Sequence, residues 1–498
     1  MQRRQFLASA AVGAQPRPAS PQTGTRPNIL FYCTDQQRWD TITSLGNPHI
    51  RTPNLDRLAA SGVAFTRAFC QNPICTPSRA SFMTGCYPSN LHVHRNGNMR
   101  FPAELEPRLL PRRFRDHGYD TALIGKLHLS GAQNRVEPRI DDGYRVFEWS
   151  HQPTPEPYWP VEVHAYHSWL RDRGVSWKQL YRSRPIGGYP RTFNSGMPSE
   201  HHEVPWGVER AIAQIRGGLR APWYMNVHCF APHPPFDPAP EYLERMKPAE
   251  LPEPLWRESD LAHNADFANV DHNTTKTIPP HSYEARHMKA CYYAMIEQID
   301  HEFGRLYDAL TESGQLENTI IVFTSDHGEM LGDHGLRYKG CRFYDSAVRV
   351  PLILSWKGHW KAGLRSEALT ELVDLAPTLL EAAGAPIPGQ IQGRSLGPIL
   401  RGEAPPGRHR DFVRSEFFDS SNAANHSHAT MIRDDRYKLT VYHGQPIGEF
   451  FDLREDPHEF HNLWNDPARA SERCRLTAQL LDATALAADV GAPVFGRF

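Results

Sequence analysis

Four apolar stretches, each closed by groups capable of chemistry, constrain this chain more than any other feature. NILFYCT (28–34) runs into Asp35 and Gln36, and TALIG (121–125) into Lys126 and His128. WYMNVHCF (223–230) leads to His233, and TIIVFTS (319–325) to Asp326 and His327. Continuous apolar runs of this length suit strands covered on both faces. Segments with helical spacing alternate with them. TPNLDRLAASG (52–62) opens with Thr and Pro and closes with Gly, and about 283–313 spaces Met295, Ile299, Phe303, Leu306 and Leu310 along one helix face. The alternation predicts an α/β fold, a large and mostly parallel sheet flanked by helices, with ligands gathered beyond the carboxyl ends of the strands. The four polar terminations fall at that edge.

NPICTPSRASFMTG (72–85) holds Cys75 without a CxxC or CxxxH partner, so a structural metal site is not its role. Pro77 suits a helix start and Gly85 a helix stop, which places Cys75 at or just before a helix N-terminus. Free N–H groups and the helix dipole favour an anion there, and Arg79, one turn in, adds a positive charge. A reactive cysteine-derived group facing an anionic substrate is expected. The plainer alternative is a structural thiol in an apolar pocket.

Lys plus Arg number 55 against 56 Asp plus Glu, a formal charge of −1, so no basic excess points to nucleic acid or an acidic membrane surface. Eight cysteines in 498 residues make neither a disulfide scaffold nor a zinc signature. MQRRQFLASAAVGAQP sets Arg3 and Arg4 before a short apolar run and resembles a twin-arginine export leader, with AVGA as the cleavage region. Residues 1–25 are therefore expected to be leader and linker, and the enzyme to work in the periplasm or outside the cell. No stretch approaches the ~18 apolar residues of a membrane span. Residues 26–400 read as a catalytic α/β domain. The charged, Pro-containing RGEAPPGRHR (401–410) then leads into a smaller α+β unit with an antiparallel sheet, 401–498, whose hairpins lie in HATMIRDDRYKLTVY and EFFDLREDP. Between 134 and 282 the chain is rich in Pro, Trp, Tyr and His, as long loops over the sheet edge would be.

CTPSRASFMTG is similar to the signature of the sulfatase family, C-x-P-S-R followed by T-G. RPNILFYCTDQQ, GKLHL, APHPPF, TSDHGEMLGDHG, Lys339–Gly340, LVDLAPTLLEAAG and FFDLREDPHEFHNL extend the resemblance, in the family's order, over nearly the whole chain. It implies a formylglycine-dependent type I sulfatase of the alkaline phosphatase superfamily. Cys75 would be converted to formylglycine by a formylglycine-generating enzyme, and the hydrated aldehyde would be the nucleophile. Asp35, Gln36, the group at Cys75, Asp326 and His327 would hold a divalent metal. Gln36 stands where the family more often has Asp, and His327 where it frequently has Asn. The oxygen-rich set favours Ca²⁺, with Mn²⁺ and Mg²⁺ as alternatives.

By the same resemblance Arg79 helps hold the nucleophile and Lys126 contacts the sulfate. His128 takes a proton from the covalent intermediate, and His233 and Lys339 stand near the leaving oxygen, one of them supplying its proton. Ser150 fits a sulfate-contact position, while His92, His94 and His334 read as peripheral. The implied activity is sulfuric ester hydrolysis with release of inorganic sulfate. A sulfated carbohydrate is the first choice of substrate, because Tyr158, Trp159, Tyr166, Trp169, Trp177 and Tyr181 crowd one excursion (151–206) and aromatic faces stack on sugars. Alternatives are a phosphonate monoester or phosphodiester hydrolase of the same superfamily, or arylsulfatase or choline-sulfatase activity. A non-catalytic sulfatase-like binding protein is the reading from another class. It predicts loss of Cys75, Arg79 or a metal ligand, and none is lost.

Overall fold

A computed structural model describes residues 26–153, 158–177, 197–271, 277–421 and 426–488. The expected leader (1–25) and Tyr181 lie outside them. The main sheet has eight strands: β1 (Asn28–Thr34), β2 (Val63–Phe65), β3 (Asp120–Gly125), β4 (Val146–Trp149), β5 (Trp223–His228), β6 (Thr319–Ser325), β7 (Leu352–Trp356) and β8 (Leu364–Ser366). Their spatial order is β8-β2-β7-β6-β1-β5-β3-β4. Only β7 pairs antiparallel to its neighbours; the other pairings are parallel. The four apolar runs are the four adjacent strands β6, β1, β5 and β3, so all four polar terminations share one carboxyl edge.

Both faces of these strands are covered, which is why the sequence runs apolar without alternation. Ile29, Phe31 and Cys33 of β1 point into one core layer, with Phe82 and Met83 of helix α2 (Cys75–Thr84). Leu30 and Tyr32 point into the other, with Leu55 of α1 (Pro53–Ser61) and Ile299 and Phe303 of the long helix α4 (Ala285–Glu312). Helix α3 (Glu203–Ala213) joins that second layer through Val204 and Trp206. The expected closing helix is α5 (Leu375–Ala382), on the α2 side.

Beyond residue 401 four strands, β9 (Val413–Phe418), β10 (His428–Arg433), β11 (Tyr437–Tyr442) and β12 (Gly448–Asp452), form an antiparallel meander. Buried ions join it to the main body. Lys438 Nζ reaches both Asp345 and Glu459 at 2.6 Å, and Tyr442 OH donates to Cys341 O at 3.0 Å. Among the described residues no helix is long and apolar enough to cross a membrane.

Candidate active site

Cys75 opens α2, two residues earlier than a Pro at the first position would place it; Pro77 falls in the first turn, where its missing N–H has no intrahelical partner to lose. Gly85 closes the helix at φ +76°, donating to Ser81 O at 2.8 Å. The helix end is less open than the sequence suggests. Asn96 Oδ1 accepts from Thr76 N at 2.9 Å and Asn72 Oδ1 from Ile74 N at 2.9 Å, so side chains already occupy donors there. The positive potential at Cys75 comes mainly from lysines instead.

Lys339 Nζ lies 2.8 Å from Cys75 Sγ, 2.7 Å from Gln36 Oε1 and 3.2 Å from His327 Nε2. Lys126 Nζ lies 2.6 Å from Asp35 Oδ2. Burial and Asp35 push the Cys75 thiol up, but Lys339, Lys126 and His327 outweigh them and hold it below its usual range. Burial likewise opposes ionisation of Asp35, yet Lys126 and Arg79 hold its carboxyl well below the ordinary value. Gly125 makes the Lys126 approach possible. At φ +102° it brings the backbone so near β5 that a Cβ would meet His228 O at 2.0 Å.

Arg79, expected to help hold the nucleophile, reaches the site through its carboxylates. It is fully buried, with Nε on Asp326 at 2.9 Å, Nη2 on Asp35 at 3.1 Å and Nη1 on Lys126 O at 3.1 Å. It ties together the carboxylates of two strand ends and does not line the cavity.

Ligand atoms of Asp35, Cys75, Asp326 and His327 all lie within 4.8 Å of one another. His327 Nδ1 is 2.9 Å from Gly328 O and so carries a proton, which leaves Nε2, 3.1 Å from Cys75 Sγ, as the atom the ring can offer an ion. With Gln36 Oε1 this makes a donor set of two carboxylates, an amide oxygen and an imidazole around an ammonium already drawn into their midst. Such a set fits a hard divalent cation.

A cavity of about 630 Å³ opens above Cys75, lined among others by Lys126, His128, His151, Trp159, His233 and Lys339. Burial, and then Lys126, holds His128 well below the usual histidine range, and its Nδ1 is buried without a hydrogen-bond partner. Burial and Lys339 do the same to His233, whose Nδ1 lies 2.7 Å from Pro234 O. Both imidazoles are therefore neutral. Two ammonium groups and two neutral bases round an anionic position suit binding of a tetrahedral anion followed by proton transfer.

His334 packs on Tyr344 at 4.1 Å away from the cavity, and His92 and His94 do not line it. Ser150 does not line it either, but its neighbour His151 does, edge-on to His128 at 4.8 Å with both ring nitrogens buried and unpartnered. Of the six aromatic residues singled out in the excursion, five are described, and among these only Trp159 lines the cavity. Tyr166 and Trp169 are buried in the second core layer, Trp177 packs against it, and Tyr158 is exposed.

A helix that begins at Cys75 against the carboxyl edge of a mostly parallel sheet, with a buried cluster of potential metal ligands beside it, is the arrangement of a hydrolase of the alkaline phosphatase superfamily. Within it the chain belongs to the sulfatase family, whose model matches residues 27–385. A second model, the C-terminal region of N-sulphoglucosamine sulphohydrolase, matches residues 332–485. The chain is 31% identical over 490 residues to the multifunctional alkaline phosphatase superfamily protein PehA of Trinickia caryophylli, covering 90% of this chain and 93% of that one. It is 32% identical over 461 residues to an arylsulfatase of Clostridium perfringens, covering 88% and 90%. The crystal structure of the phosphonate monoester hydrolase of Agrobacterium radiobacter superposes with a TM-score of 0.77 at 28% identity, covering 93% of this chain and 96% of that one. The protein is thus an enzyme of the sulfatase family.

Proposed function

We propose that the enzyme hydrolyses sulfate monoesters, with a sulfated carbohydrate as the first choice of substrate and position 75 acting as formylglycine. The observation that carries this is the meeting of Cys75 with Lys126, His128, His233 and Lys339 at the floor of one cavity. Asp35, Gln36, Asp326, His327 and the group at position 75 would hold a divalent cation, Ca²⁺ before Mn²⁺ or Mg²⁺, which neutralises charge on the sulfuryl oxygens. A hydrated aldehyde at position 75 supplies a hydroxyl nucleophile.

The chain's own groups do the rest. Lys126 and Lys339 draw the sulfuryl oxygens towards position 75. His128, neutral and with Nδ1 unpartnered, accepts a proton from a hydroxyl there. His233 is also neutral, with its proton on Nδ1 held by Pro234, and so begins as an acceptor. Burial disfavours charge on Lys339, but Cys75, Asp35 and Asp326 outweigh it and raise its ammonium above the usual range. Lys339 therefore brings the proton to the departing oxygen, and His233 Nε2 accepts a hydrogen bond from the alcohol so formed. The cavity volume of about 630 Å³ accommodates a group the size of a sugar ring.

A phosphonate monoester or phosphodiester activity is the second reading, favoured by Gln36 and His327 as ligands and by the fold likeness to the Agrobacterium enzyme. Lys126 and His128 together favour sulfate. The test is a panel of sulfated sugars, aryl and choline sulfates and phosphonate and phosphate esters, run beside mass spectrometry of the peptide holding position 75. Formylglycine in the peptide and sulfate release abolished in Cys75→Ala are the expected results. An unmodified thiol in active enzyme, or turnover retained by Cys75→Ala, overturns the nucleophile. Higher kcat/KM on phosphonates than on any sulfate overturns the substrate class.

A further inference from the structure

Gln36 poses a problem of direction, because one end of a carboxamide attracts a cation and the other repels it. Its Oε1 faces the site, accepting from Lys339 Nζ at 2.7 Å. Its Nε2 points away and donates to Glu329 Oε2. Glu329 lies two residues beyond His327, fully buried. Its other oxygen accepts from Leu331 N at 2.9 Å and from Tyr338 N. Three N–H donors therefore converge on the two oxygens of this side chain. Turning the Gln36 amide over would set its oxygen against Glu329 Oε2, two acceptors facing each other away from water, with one hydrogen bond lost.

We propose that Glu329 is a positioning residue: it fixes Gln36 with its oxygen towards the ion. The inference rests on the metal site of the proposed function. Glu329 touches neither the nucleophile nor the cavity; besides Gln36 it holds the backbone N–H groups of Leu331 and Tyr338, and Gln36 is the only one of the three named as a ligand.

The test is an isosteric swap. Metal-stripped wild type, Glu329→Gln, Gln36→Glu and the double variant Gln36→Glu/Glu329→Gln are titrated with Ca²⁺, Mn²⁺ and Mg²⁺ alone by calorimetry, and their metal-free melting temperatures are recorded. Gln36→Glu sets two carboxylates face to face and is expected to melt lower than wild type. Glu329→Gln frees the amide to turn and is expected to bind the ion about 10- to 100-fold more weakly, as outer-shell changes commonly do. In the double variant the amide of Gln at 329 donates to the new carboxylate at 36, so affinity and melting temperature should both return to near the wild-type values. A wild type that takes up no ion overturns the metal site and this role together. A wild type that binds while Glu329→Gln binds equally well, or a double variant whose losses simply add, overturns the positioning role alone.

Discussion

His151 shows at the residue scale how far local sequence carries. Nothing marks it in EWSHQP, and a histidine after a strand is more often a hydrogen-bonded loop residue than a ligand. Its ring is held by neighbours instead: Trp159 at 5.5 Å, His128 at 4.8 Å and Phe230 at 6.3 Å. Burial, and then Lys126, keeps it well below the usual histidine range, so it is neutral and offers one N–H and one lone pair to whatever enters the cavity. We expect it to bind the substrate's oxygens and not to titrate during turnover. His151→Ala should raise KM roughly tenfold or more, the worth of one hydrogen bond to a charged group, with kcat within about threefold. His151→Asn keeps an N–H donor and should recover much of the loss. An unchanged KM in the alanine variant, or equal losses in both variants, would remove His151 from substrate binding.

Elements were more legible than side-chain directions. Strands β1 and β6 have the bounds their apolar runs predict, because a strand buried on both faces leaves no polar residue to blur its limits. Helix α4 was legible from its 3.6-residue period, and α2 from Pro and Gly punctuation. What the sequence could not separate were aromatic rings that pack from rings that recognise, since both call for the same residue types. The helix Ala165–Asp172 settles this by docking on α3, with Tyr166 5.7 Å from Trp206 and Trp169 Nε1 3.3 Å from Glu209. Trp159 is anchored by its Nε1 to Arg135 O at 2.8 Å and leaves its ring at the cavity wall. Asn96 and Glu329 were hidden for a related reason, because each acts on a segment the chain reaches only through tertiary contact. Trp169→Ala should therefore cost about 3–5 kcal/mol of stability while leaving the ratio of kcat/KM for sugar and aryl sulfates unchanged. Trp159→Ala should change that ratio. A shifted ratio in the Trp169 variant, or none in the Trp159 variant, would reverse the assignment.

At the scale of the whole molecule, the cost of enclosing the site is paid in buried imidazoles. His128, His151, His164 and His233 are held well below the usual histidine range, His202 is lowered to about 4 and His228 to about 3, with burial the first cause in each. The sign of the consequence follows from proton counting. Unfolded, each of these six binds a proton as pH falls through about 6.5; folded, it does not, so stability is lost on the acid side. Buried acids work the other way. Glu203 is raised to about 7 and Asp300 to about 6, so they take up protons in the folded state first. Each imidazole that gains its proton only on unfolding costs up to roughly 1.4 kcal/mol of stability per pH unit, and the raised acids offset part of this. With the imidazoles prevailing, a fall of a few degrees in Tm is expected between about pH 6.5 and 5.5, above the range in which ordinary carboxylates protonate. Calorimetric melting across that range checks it. A Tm that holds level or rises as the pH drops would mean that these imidazoles are charged in the folded enzyme, and His128 could then not be the proton acceptor.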